Sequence, residues 1–206
     1  MNISVVREPS DPGGISSAPK NELIRVAGDR DAPALLELLL TAYEPLREMQ
    51  IRFSATTADI ELVQRTIRRH TTFVIERHGT IIGTVSVRFP WPMGETHLTS
   101  YPFIHWFAVA PTFKRQAVGT TLLDHVELNF LRDQIKAPAV YLATATRHPW
   151  LVGLYERRGY EGFHKQVNRG DEVLYLRKIL NPEIYDDLEV REHKHFGIHT
   201  PTALQA

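Results

Sequence analysis

Residues 104–123 read IHWFAVAPTFKRQAVGTTLL, and the fold turns on how this stretch is parsed. Phe103 to Val109 is rich in aromatic and β-branched side chains, the composition of a buried strand. Pro111 closes it, because proline has no N–H to continue a ladder. Lys114-Arg115-Gln116-Ala117-Val118-Gly119 then sets two cations and small residues ahead of Val118, Leu122, Leu123, Val126 and Phe130, which recur at helical spacing. A strand, a basic turn and a helix N-terminus together favour an anion, since the first helical turn carries unpaired N–H groups and a partial positive charge. The same residues also read plainly as a basic loop capping an ordinary helix.

Outward from this core the chain divides into three parts. Residues 1–21 hold Pro9, Pro12, Gly13, Gly14, Ser16, Ser17 and Pro19 and read as a flexible leader. Residues 22–180 carry alternating strand and helix patterns and form one domain. Residues 181–206 are a mixed extension. Within the domain, Leu23 to Ala27 alternates as a strand, and Asp29 or Asp31 supplies an N-cap before Pro33. Leu35, Leu36, Leu39, Leu40 and Tyr43 then predict a helix to about Leu46. A second helix spans about Ala58 to Arg69. Thr71 to Glu76 and Ile81 to Phe89 form a hairpin around Gly79, with Gly83 marking a bulge. The polar loop from Pro90 to Pro102 is long enough to serve as a substrate lid. Beyond the central helix, Ala139 to Thr146 reads as a buried strand. A helix starting at Pro149 ends at Arg158-Gly159, and Tyr160 to His164 and Glu172 to Ile179 read as closing strands. Hairpin-paired strands broken by helical crossovers predict an α/β (α+β) single domain with a mixed central sheet.

Composition narrows the function. The 206 residues are 43% hydrophobic and 23% charged, ordinary values for a folded domain with its own core. Acidic and basic side chains balance at 24 each, which gives no electrostatic footprint for nucleic acid. Cysteine is absent, so disulfides, thiolate metal sites and a cysteine nucleophile are excluded. The longest apolar run is far too short to cross a bilayer, and the expected location is cytoplasmic. His193, His195 and His199 have a spacing that could ligate a metal, but matching carboxylates are lacking and no metal is expected.

Two motifs, with the order of elements from Leu23 to Ile179, resemble the GCN5-related N-acetyltransferase (GNAT) superfamily. Phe107-Ala108-Val109-Ala110-Pro111 leading into Lys114 to Gly119 is similar to that family's acyl-CoA pyrophosphate loop, although Lys114 and Ala117 replace the usual Gln or Arg and the first Gly. Leu154-Tyr155-Glu156-Arg157-Arg158-Gly159-Tyr160 is similar to its late helix, in which a tyrosine precedes Gly and an aromatic. The resemblance implies a mostly antiparallel sheet flanked by helices and a reaction in which acetyl-CoA donates its acyl group to a primary amine. It implies that the backbone of Gln116 to Gly119 holds phosphate, with Lys114 and Arg115 as charge, Thr120 as a hydroxyl donor and His148 nearby. Phe107, Ala108 and Val109 would meet the pantetheine. Ala117 fits such a loop if its φ is negative.

Tyr155 would be the acid that protonates the departing thiolate, or simply an amphipathic tyrosine anchored in the core. His105 is suited to take a proton from the acceptor ammonium, or is a histidine satisfied by the backbone. Strand alternation puts it on the face of Phe103, Phe107 and Val109, a facing that a bulge in this strand, common in the family it resembles, would reverse. Glu44, Trp91 and Tyr101 are candidates for the acceptor pocket, with Phe53 and Trp106 as further aromatics. The expected partner is a small-molecule amine, with neither nucleic acid nor membrane, and a homodimer is left open. A second reading is an acyl-CoA-binding module without turnover.

Overall fold

Seven segments of alternating or continuous apolar pattern assemble into one sheet: β1 (Glu22–Val26), β2 (Thr71–Arg77), β3 (Thr80–Arg88), β4 (Phe103–Val109), β5 (Ala139–Ala145), β6 (Glu161–Asn168) and β7 (Asp171–Ile179). The computed structural model describes residues 22–91, 98–148, 150–168 and 170–188. The proposed leader, the middle of the lid loop, Pro149 and the tail histidines lie outside the described residues. The strand order is β1-β2-β3-β4-β5-β7-β6. Only the β4–β5 pair is parallel; the other neighbours are antiparallel. The mixed, mostly antiparallel sheet is thus as expected. The bulge expected at Gly83 falls beside it, since Ile75 pairs with Gly83 and Glu76 with Ile81, leaving Ile82 out of step.

Helices cover both faces. On one, α1 (Ala32–Ala42), α2 (Glu44–Glu48) and α3 (Ile60–Arg69) close a core of Leu35, Leu39 and Val63 against Val74, Trp106 and Ala108. On the other, α4 (Val118–Asp124) and α5 (Leu151–Glu156) press Val118, Leu122 and Tyr155 onto Val85, Ile104 and Leu142. Burying each such aliphatic side chain contributes about 1.5–3 kcal/mol. α4 continues into a π-wound segment, His125–Gln134, after which the Ile135 N–H reaches back five residues to Phe130 C=O at 2.9 Å.

Two local readings need correction. The expected helix to Leu46 stops at Ala42, because Pro45 lacks an N–H and its ring crowds the preceding turn; the chain restarts as the short α2. The second correction concerns β4. Thr84 pairs with Ala108 and Ser86 with His105, so the single residue Val85 faces both Trp106 and Phe107. Trp106 takes up the extra residue with φ 52°. The bulge reverses the alternation: Phe107 and Val109 pack with Ile104 toward α4, while Trp106 and Ala108 pack toward α1. His105 reaches His70 at the end of α3, on the face opposite Phe107 and Val109. It also parts the sheet, for β4 and β5 pair only at Phe103–Tyr141 and Ile104–Leu142.

Candidate active site

Beyond Ile104 the two central strands separate, and a cleft of about 520 Å³ there is lined by residues from both faces of the sheet. The α4 side is lined by Lys114, Arg115, Ala117, Gly119 and Thr120, and the α1 side by Tyr43, Leu46, Phe53 and His105. Tyr155 of α5 stands between them on the α4 face. The Ala110 N–H bonds Ile82 C=O at 2.9 Å, so alternation turns the backbone groups of Val109 away from β3 and toward the cleft. Phe107 C=O points the same way, where it accepts from the Tyr43 hydroxyl at 3.1 Å.

The basic loop has an unexpected conformation. Arg115 and Ala117 both sit at φ 61°, in the left-handed region, so the negative φ expected of Ala117 is corrected. A left-handed residue next to a right-handed one can turn successive N–H groups toward an anion, and Ala117 stands in that relation to Val118 at the start of a long helical rod. Lys114 and Arg115 line the cleft above it. The Gln116 side chain is occupied elsewhere: it donates to Thr112 C=O at 3.1 Å and accepts from Arg77 at 2.8 Å, tying the loop to the end of β2. Gly119 is closely packed, since a Cβ there would meet the Phe107 side chain at 3.0 Å and that of Val109 at 3.3 Å and would make them shift. Val118 is buried in the α4 core and presents only its backbone to an anion. Because alanine is strained at φ 61°, Ala117→Gly is expected to raise stability by about 0.5–1 kcal/mol without changing the fold. A melt at or below the parental temperature counts against strain at this residue.

At the other end, polar groups converge without carboxylates. Burial pushes both the Tyr43 and the Tyr155 phenol above 10, with the Glu127 carboxylate a further cause for Tyr155, so both stay protonated at neutral pH. Burial, then the charges of His70 and Arg88, hold His105 well below 6.5, so its imidazole is neutral. Its Nε2 lies 2.9 Å from His70 Nδ1. Two buried polar atoms in the same cleft, Thr144 Oγ1 and His148 Nδ1, have no partner among the described residues. Such atoms are ordinarily met by ordered water or by a polar ligand.

Of the candidates for an acceptor pocket, Phe53 and Trp106 line the cleft. Glu44 is exposed and paired with Arg47. Trp91 is exposed and stacks on Phe89 at 4.3 Å, beside a separate shallow pocket. Tyr101 packs beside Tyr185 and Tyr141 in a small core of its own. These three lie outside the cleft. Sequence reasoning passed over Tyr43 in favour of its neighbour; the signal was Pro45, which ends α1 at Tyr43 and leaves that ring facing β4. Thr144 carried no sequence signal beyond a polar residue in an apolar strand.

Residues 33–160 match the acetyltransferase (GNAT) family. The chain belongs to that family. This GNAT protein is 42% identical over 167 residues to the S-alkylcysteine N-acetyltransferase of Bacillus subtilis (strain 168), covering 81% of this chain and 93% of the relative. It is 43% identical over 166 residues to the S-(2-succino)cysteine N-acetyltransferase of the same organism, covering 78% and 97%. Its fold is shared by the ribosomal-protein-S18-alanine N-acetyltransferase from Escherichia coli (TM-score 0.61, 16% identity, 78% of this chain and 94% of that one). It is also shared by the PaiA N-acetyltransferase from Thermoplasma acidophilum, solved in complex with coenzyme A (TM-score 0.58, 14% identity, 77% and 98%). The GNAT chain is an N-acetyltransferase, and the non-catalytic alternative has no support among these relatives.

Proposed function

We propose that this enzyme transfers the acetyl group of acetyl-CoA to the α-amine of a small S-substituted cysteine. The observation that carries the reading is the pair of relatives: their named substrates differ in the sulfur substituent but share the cysteine amine. The cleft suits both partners. Its α4 end offers the N–H groups beside left-handed Ala117, with Lys114 and Arg115, for the pyrophosphate, the Val109 backbone for amides, and the polar atoms of Thr144 and His148 that lack a partner among the described residues. Its α1 end offers the apolar side chains of Leu46 and Phe53 for a thioether substituent.

The chemistry needs a base and an acid on either side of the reacting carbon, and these residues stand on opposite faces of the sheet. His105, held neutral, takes the proton as the amine nitrogen bonds the acetyl carbonyl carbon. Tyr155 gives its proton to the sulfur as the C–S bond breaks. The partnership with His70 fixes the His105 ring orientation. Fixing both reactants in one cleft supplies the remainder of the rate through proximity.

The test is thiol release from acetyl-CoA with S-benzyl-L-cysteine, run from pH 6 to 9 on wild type and His105→Asn. Turnover by wild type is expected, with the His105→Asn deficit largest at neutral pH and shrinking as the amine deprotonates unaided. No thiol release above the acceptor-free rate rejects the substrate class; a deficit independent of pH rejects the base.

A further inference from the structure

Arg88 ends β3, opposite Phe103 in the register, and beyond the effect of its charge on His105 it has no assigned task. Most arginines packed on this sheet hold carboxylates: Arg25 holds Asp31, Arg77 holds Glu22, Arg147 holds Asp171 and Arg158 holds Glu127. Arg88 forms no ion pair among the described residues, and its Nε is buried without an acceptor. Its guanidinium carbon lies 5.0 Å from the centre of the Phe103 ring, which lines the cleft. The Phe103 ring in turn lies nearly parallel to His105, with centres 5.9 Å apart. Phe103 and His105 are two residues apart before the bulge, so their side chains emerge on one face about 6.6 Å apart. That is the scale of one amino acid.

Arg177, for which no ion pair stands among the described residues either, sits with its guanidinium 5.5 Å from the Phe163 ring and 5.0 Å from the Tyr185 ring, and it does not line the cleft. Arg88 is thus set one ring back from the cleft lining, behind Phe103, and a planar cation with an unsatisfied donor there matches one chemical group above others, a carboxylate bound by a forked pair of hydrogen bonds.

We propose that Arg88 is the carboxylate-binding site of the acceptor pocket, gripping the free α-carboxylate of an amino-acid substrate so that its amine faces His105 at the gap between β4 and β5. This rests on the reading of the acceptor as an S-substituted cysteine, and it adds a requirement: the carboxyl group must be free. In an α-amino acid the amine and carboxylate share one carbon, so holding the carboxylate fixes the amine. A decarboxylated or amidated analogue of the same side chain would leave the guanidinium unpaired and forfeit the interaction.

Three probes separate the possibilities: S-benzyl-L-cysteine, S-benzyl-L-cysteinamide and S-benzylcysteamine, each assayed by thiol release with wild type, Arg88→Gln and Arg88→Lys. Arg88→Gln is expected to raise KM for the acid about 30-fold while changing the amide and the amine less than about threefold. Arg88→Lys, which keeps charge but loses the fork, is expected to fall between, and it covers the case in which the glutamine variant folds poorly. Equal losses on all three probes make Arg88 structural and overturn the proposal, as does an unchanged KM for the acid. Turnover of the acid by wild type without any Arg88 selectivity leaves the substrate class standing and removes only this site. Turnover of no probe by wild type rejects the substrate class and the site with it.

Discussion

Tyr155→Phe is expected to lower kcat about 100-fold while leaving the affinity for coenzyme A within about threefold. The two variants share a ring that fills the same space on the α4 face, so packing is retained and only the hydroxyl is lost. The loss falls on kcat because a departing thiolate needs its proton only as the C–S bond breaks. The pH dependence has a definite sign. Burial and the Glu127 carboxylate hold the phenol above its usual 10, so it remains a competent acid across the working range. Wild-type turnover should therefore climb as the acceptor amine deprotonates, with no descending limb below about pH 10. An unchanged kcat in the phenylalanine variant, or a descending limb near pH 8, removes Tyr155 from the role.

Glu127→Ala is expected to be the most damaging substitution outside the cleft. Glu127 lies in the π-wound segment with its side chain fully buried. It accepts hydrogen bonds from Arg158 at 3.0 Å, Tyr160 at 3.1 Å and Lys178 at 2.6 Å. Alanine strands the Lys178 ammonium and the buried Tyr160 phenol and leaves Arg158 with Asp124 alone, and breaking one side of a buried ionic network costs about 3–5 kcal/mol. For a domain of this size the melting temperature should fall by roughly 10 °C. The network joins the rod after α4 to the residues just beyond α5, so its loss also loosens the support of Tyr155. A fall of less than about 1 kcal/mol in a denaturant titration would falsify this accounting.

Much of the architecture was legible because side-chain periodicity reports burial directly. Val118, Leu122 and Val126 read as a helix and pack as one, and Gly159, at φ 84°, ends α5 where Arg158-Gly159 predicted. The basic loop was legible for a similar reason, since charge and small residues between a strand and a helix have few other uses. What escaped was decided by single residues acting through the backbone. Pro45 cut a helix that the leucine pattern alone would have extended. One extra residue in β4 moved His105 to the other face, and no composition rule marks which residue of IHWFAV is the extra one. Ala117 took a left-handed φ that alanine rarely adopts, because the turn into α4 imposes it. Glu127 and Arg88 drew no reading from the sequence, since only tertiary packing reveals that one is enclosed by cations and that the other has no anion among the described residues.

The bulge at Trp106 has a consequence for traffic. Because the gap lies between two central strands, residues from both faces of the sheet line one cleft, and the proposed donor and acceptor can meet there from opposite sides. Both can be resident at the moment of transfer, and the enzyme itself never has to carry the acetyl group between visits. A single surplus residue in a central strand is thus enough to turn a wall into a meeting place.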